Sequence, residues 1–395
     1  MKATKKLTAL LLAASCLLAP GCFPDGSSAP TTAATNSEAL TAISSPSRLQ
    51  QDLGENLTVD ADIDVPETLD FHRYAAREMN IDFDTFTQAA KLIYPADAHI
   101  TFVEDTASED RTHYQADTGN EDWFAYFHTS ESDYCSFSLP RFSSQYYSLV
   151  TSSYGETVRQ DMRRVFPNNR LDGWDPQEAI RLVKEKLDVL GVPIASTPEV
   201  FALDVDSLQK EWVANWKIAG DKLSEEYGEE PVTWTKEDEA YVIYYRLVAP
   251  DGHPINRCTY IPGNEEQLGA ITSCAARGTV DKEGLLELSV NGMLEVTEEL
   301  GPQEIKVDLD QVLEQIQQKY EAMITTNPVV VTRIGLEYLP QLTDAQQRTY
   351  ELIPVWVVET HERKYTGGGE AETSLVPLPP VLIDAATGQE IMVAG

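Results

Sequence analysis

Serine, lysine, histidine and carboxylate side chains are the groups of this chain that could do chemistry, so their spacing is weighed first. Ser207-Leu208-Gln209-Lys210 has the S-x-x-K spacing, in which one helical turn sets a lysine beside a serine and could strip its proton. Lys364-Tyr365-Thr366-Gly367 approaches the companion K-T-G but carries an inserted residue, and no S-D-N lies between the two. Ser207 also stands where a helix N-cap belongs, which is the stronger reading. The six histidines, His72, His99, His113, His128, His253 and His361, never recur four apart, and His361-Glu362 lacks the second histidine of a zinc peptidase. Neither a G-x-S-x-G elbow nor a phosphate-cradling glycine loop occurs. Among 64 acidic residues, carboxylate pairs are too frequent to mark a glycosidase by themselves. No catalytic residue, metal ligand set or cofactor is therefore assigned.

Three further groups have a sharper and a plainer reading. Val59-Asp60-Ala61-Asp62-Ile63-Asp64-Val65 could suggest a calcium loop, but the glycine and distal glutamate of that motif are missing, and its period-two alternation predicts a half-buried strand. Trp123, Phe124, Tyr126, Phe127, Tyr134, Phe137 and Phe142 could stack on sugars, although clustered aromatics on strands more often form core. Trp212 and Trp216, four apart, read as a packing face. Of the cysteines beyond residue 22, Cys258 and Cys274 are sixteen apart across a loop-like stretch and could form a disulfide in an exported protein. Cys135 reads as a small buried hydrophobe.

The elements that must position these groups begin after a leader. Lys2, Lys5 and Lys6 precede the apolar run Leu7 to Ala19, the pattern of a signal peptide too short to span a bilayer. The run ends in Ala19-Pro20-Gly21-Cys22, which resembles a bacterial lipobox. That resemblance implies cleavage after Gly21 and a diacylglycerol anchor on Cys22, with Cys16 as the rival position. Two acyl chains would keep the protein on the membrane, since each buried methylene contributes about 0.8 kcal/mol.

Composition from Phe23 to about Leu57 turns to Ser, Thr, Ala, Pro and Gly, as in a flexible tether. The formal charge is -34, and removing residues 1–21 takes away three lysines and no acid. Such a surface repels phosphate backbones, so nucleic acid is excluded as a partner.

Beyond the tether, helical patterns are predicted at 69–79, 83–93, after the cap pair Asp175-Pro176 with Glu178, and after Asp308 with Gln311. Strand patterns are predicted at 100–103, 123–128, 134–139, 200–203, 240–248, 285–290, 293–297, 329–339, 350–360 and 381–383. Pro250-Asp251-Gly252 marks a turn, and Asn291-Gly292 reads as a two-residue hairpin. The recurring order of capped helix and then strands suggests divergent repeats.

The expected organisation is a signal peptide at 1–21, a tether at 22–58, an N-terminal α+β domain at 59–165, a middle α+β domain at 166–304 and a C-terminal α+β domain at 305–395. The fold class expected is α+β, with two or three helix-on-antiparallel-sheet modules.

Tyr350 to Val358 followed by Val381 to Ile391, with its Asp384-Ala385 and Gly388 turn, resembles the end of a PepSY-type domain. That family implies a helix packed on a small antiparallel sheet, and the likeness extends to uncharacterised bacterial lipoproteins. Asp384 and Gly388 are read as turn residues, one accepting backbone N–H groups and the other supplying positive φ. The function expected is that of a membrane-anchored extracytoplasmic lipoprotein, a binding or regulatory protein of the cell envelope. Its partners would be the membrane, through the anchor, and an envelope protein, a peptide or a cell-wall fragment. The alternative is a hydrolase of glycan or peptide substrates on the secreted side.

Overall fold

A computed structural model describes residue 43 and residues 45–94, 99–108, 111–119, 123–129, 132–138, 162–163, 165–211, 233–256, 274–323, 327–344, 347–365 and 373–391. Cys16, Cys22, Cys258, Trp212 and Trp216 lie outside them, so the lipid anchor and the Cys258 to Cys274 bridge are not observed. Cys274 itself is fully buried.

The alternating run at 59–65 does form a strand, and it shows how one sequence pattern is placed. In β2 (Leu57–Asp64), Leu57, Val59, Ala61 and Ile63 face the core and the acids lie on the other face. Its neighbours are β1 (Arg48–Gly54), antiparallel, and β13 (Val329–Asp344), parallel. Arg48 pairs with both Asp60 and Asp62, and Arg163 reaches Asp62 as well.

Sheet I has nine strands. β13 forms a long antiparallel hairpin with β14 (Thr349–Tyr365), which also receives β16 (Val381–Asp384), β15 (Thr373–Pro377) and β3 (His72–Glu78). β12 (Leu294–Pro302) pairs with β3, and β17 (Glu390–Ile391) with β16. Sheet II has eight strands, all antiparallel: β4 (Thr101–Ser108), β5 (Arg111–Asp117), β6 (Trp123–Thr129), β7 (Ser132–Ser138), β11 (Gly284–Asn291), β10 (Ala275–Asp281), β9 (Ala240–Arg246) and β8 (Glu199–Leu203), in that spatial order.

Three of the described helices pack on this framework. In α1 (Phe83–Ile93), Asp82 accepts from the Thr85 N–H at 2.7 Å, and Phe86 stacks on Phe124 at 4.9 Å. Before α2 (Gln177–Leu190), Asp175 accepts from the Gln177 N–H at 2.9 Å, while Glu178 pairs with Arg181 instead of closing a capping box. Gly278 lets α2 approach β10, because a Cβ there would stand 2.4 Å from Val183 Cγ2. Helix α3 (Leu309–Glu321) has the expected box between Asp308 and Gln311, and buries Val312, Leu313, Ile316 and Tyr320. Beside it the indole N–H of fully buried Trp356 donates to the Val307 carbonyl at 3.0 Å.

The expected α+β class of helix-on-sheet modules is corrected by this architecture. The described residues are mostly strand, in two large sheets, and sheet I joins strands from both ends of the chain. Helix-then-strand order along the sequence says nothing about which distant strand a new one will pair with, and here the pairings are long-range. Sheet II runs from β4 to β11, across the boundary expected at 165/166.

Two local readings also change. His72–Glu78, expected as helix, is β3, since its Ala- and Arg-rich run is held between β12 and β14 by ladders on both sides. Asn291-Gly292 is no hairpin: β11 lies in sheet II and β12 in sheet I, so this turn passes the chain between sheets. The Asp384 turn is as read, with Ala386 and Thr387 N–H groups on its carboxylate and Gly388 at φ 73°.

Candidate functional site

After β9 the chain turns back on itself and lies against sheet I, and this strap builds the site. The turn at Pro250-Asp251 closes with the Gly252 N–H on the Ala249 carbonyl, and Gly252 takes φ 87°. The Asn256 N–H then donates to the Tyr338 carbonyl at 2.6 Å, and the Tyr338 N–H to the Pro254 carbonyl at 2.9 Å. Asp251 and His253 are thereby set beside Phe71, Tyr74 and Tyr338.

Asp251 Oδ2 accepts hydrogen bonds from the hydroxyls of Tyr338 and Tyr74, the latter at 3.2 Å, while its Oδ1 accepts from the His253 N–H at 3.1 Å. The Tyr338 oxygen in turn accepts from the His72 N–H at 2.9 Å. Burial, and then the nearby Asp251 charge, pushes the Tyr74 phenol up to about 12. Tyr338 moves in the same direction, for burial first and its bond to Asp251 second. Both hydroxyls therefore stay protonated donors at neutral pH.

Two histidine–carboxylate pairs surround this centre. The His253 ring stacks on Phe71 at 4.0 Å and places Nε2 3.1 Å from Asp70 Oδ1. Asp70 is held below the usual carboxylate range, chiefly by the Thr68 hydroxyl, then by its own backbone N–H and by His253. His72 Nδ1 lies 2.6 Å from Glu299 Oε1, joining β3 to β12. Tyr338 and His253 are buried, whereas the Asp70 side chain is 69% exposed and that of Glu299 57%. The cluster thus has a dry floor and a wet rim of hydrogen-bond acceptors.

A second polar cluster lies on the opposite face of β13. Arg333, Gly335 and Glu337 alternate onto it, with Glu359 directly across from Arg333 on β14. Arg333 bonds Glu337 and Glu359 at 3.2 Å each and Asp64 at 2.9 Å. Arg246, from the end of β9, joins Asp64 at 2.5 Å and also pairs with Glu337. Gly335 gives the guanidinium room, since a Cβ there would lie 2.6 Å from an Arg333 nitrogen. Every one of these charges has an opposite partner, so the network is a tie between the sheets.

The residues read from sequence fare differently. Ser207 donates to Asp204 Oδ2 at 2.9 Å, and its N–H bonds Asp204 Oδ1, so Asp204 takes the N-cap place and Ser207 lies in the first turn of a helix described over residues 205–211. His361 is buried, and burial lowers its pKa. Among the described residues no group of three or more His, Cys, Asp or Glu side chains is placed to hold a metal ion, and no helix is long and apolar enough to cross a membrane. Sequence reasoning gave no site role to Asp70, Tyr74, Asp251, His253 or Tyr338, having named His253 only among the unclustered histidines and Asp251 only in a turn. The one available signal was the turn at Pro250-Asp251-Gly252, which placed Asp251 in a bend but named no partner.

No family model matches the chain, and no curated protein matches it. Among solved structures, it is similar to an uncharacterized protein from Eubacterium rectale, with 17% identity, a TM-score of 0.65, and coverage of 88% of this chain and 94% of that one. The architecture is therefore shared with that protein. A Bacillus megaterium YpeB C-terminal domain is also similar, at 11% identity over 80% of this chain and 98% of that one, with a TM-score of 0.29 that is too low to bear on the fold.

Proposed function

We propose that this protein is a lipid-anchored binding or regulatory protein of the cell envelope, held through Cys22 on the extracytoplasmic face of the membrane, and that it acts by contact. The observation carrying this reading is the half-buried cluster around Asp251. Its tyrosines, histidines and carboxylates are locked by bonds to one another, and what it presents to solvent is a rim, Asp70, His72 and Glu299. Such a rim suits donor-rich groups, ammonium, guanidinium or hydroxyl, offered by an envelope protein, a peptide or a wall fragment. The leader and the polar tether supply the anchoring part of the proposal. The kinship with exported lipoproteins, suggested by residues 350–358 and 381–391, belongs to it as well.

Two measurements test it. A photo-crosslinking side chain at Leu300, 46% exposed on β12 beside the rim, is expected to trap a discrete partner in the envelope, whereas the same group at Leu92, 61% exposed on α1, does not. Identical adduct patterns from both positions would sink the binding role. Labelled lipid should enter the full chain and be lost in Cys22→Ala; retention of label there moves the anchor to Cys16.

A further inference from the structure

Strand β12 lies at an edge of sheet I, pairing only with β3 among the described residues. An edge strand turns a row of backbone N–H and C=O groups outward, where an extended chain can add to the sheet. We propose that β12 is a docking edge for an extended, lysine- or arginine-bearing peptide segment, added to sheet I as a further strand. This rests on the contact-binding role given above and names its mode and partner chemistry.

The charge on the strand selects the occupant. Glu295, Glu298 and Glu299 are all exposed, and Leu300 stands 46% exposed beside them. Arg77 pairs with Glu295 and His72 with Glu299, whereas Glu298 has no ion pair among the described residues. Glu295 lies opposite Arg77 and Glu298 opposite Ala75, a residue two along the same face of β3, so both acids point to one side. Basic side chains two apart on an added strand would meet them in turn. A second copy of this chain would bring the same three glutamates to the seam, and like charges across a strand pair repel.

The other long edge strand of sheet I among the described residues lacks these features. On β1, Arg48 is already paired with Asp60 and Asp62, and the remaining polar residues are Gln50, Gln51 and Asp52. The bulges of β12, at Val296/Glu298 and Glu299/Gly301, bend it and so discourage flat pairing between copies.

The test uses the full chain in detergent and three blocked nonapeptides. One alternates lysine with valine and threonine, one has glutamate in place of every lysine, and one keeps the lysines but carries proline at two central positions. The first is expected to bind, the glutamate peptide not to bind, and the proline peptide to bind at least about tenfold more weakly because proline cannot donate to the ladder. Glu295→Gln with Glu298→Gln in the protein should weaken the first peptide severalfold while leaving the unfolding midpoint nearly in place, because both positions are exposed. Equal binding of the lysine and proline peptides would reduce β12 to a charged surface and overturn strand addition. So would an unaffected double variant, or no binding of the lysine peptide. If Leu300 still traps a partner while the lysine peptide fails, the docking mode falls and the contact role stands; failure of both removes both.

Discussion

The two faces of β13 carry polar clusters of opposite character. On one face Arg333 and Glu337 are 2% and 1% exposed, respectively, and two guanidiniums are held by three carboxylates, of which only Asp64, 45% exposed, reaches water. On the other, Tyr338 and His253 are equally dry but end at carboxylates that stand in water. A closed network can only hold its elements together, and its removal should be read in stability. An open one has acceptors to spare, and its removal should be read in binding.

Breaking the closed side gives the largest expected effect. Glu337→Ala leaves the guanidiniums of Arg333 and Arg246 short of a buried partner, which should cost about 3–5 kcal/mol in urea unfolding. A loss under about 1 kcal/mol would mean that water reaches this network, and the contrast between the faces would fail. Next comes the floor of the open cluster at high pH. Folding raises the Tyr74 pKa to about 12 from an ordinary value near 10, so the folded state keeps a proton that the unfolded chain releases. Stability is then fully present below about pH 10 and falls as pH rises toward 12, by about 2–3 kcal/mol for this group. Asp251→Ala should shrink that alkaline loss, because the carboxylate is the second cause of the shift after burial. An unchanged alkaline slope would remove Asp251 from the causes of the shift. Smaller again is Gly335→Ala, in which the new methyl meets the Arg333 guanidinium and forces it off its acceptors, at about 1–3 kcal/mol.

How much of this was legible beforehand differs between levels. Strands and caps were readable wherever the signal is local: the alternation of β2, the box of Asp308 with Gln311, and the Asp384 turn depend on neighbours a few residues away. Pairing partners were not. Nothing in Leu57–Asp64 announces Val329–Asp344 as its parallel neighbour, and β3 carries helix-favouring alanines because two flanking ladders, more than its own propensity, set its backbone. The site was hidden for the same reason, since Asp70, Asp251 and Tyr338 meet only when a strap from sheet II lies across sheet I. In hindsight Arg333 and Glu337, two apart from a shared Gly335 inside an apolar strand, were the visible oddity. Charges at that spacing on a buried face require an ionic partner, although sequence could not say which.

The smallest stability effect belongs to the residues that should matter most for contact. Asp70→Asn with Glu299→Gln removes two exposed carboxylates whose histidine pairs are worth little in water, so the unfolding free energy should move by less than about 0.5 kcal/mol for each. The dry floor does not depend on these two carboxylates, because Tyr74 and Tyr338 bond to Asp251, and Tyr338 also to the His72 backbone, but neither bonds Asp70 or Glu299. Capture of a partner through the crosslinker at Leu300 should nevertheless fall severalfold in this double variant, while Glu337→Ala, assayed where it remains folded, keeps it. The reverse pattern, with capture insensitive to the rim and lost with the buried network, would make the partner a reader of sheet alignment instead of the exposed acids.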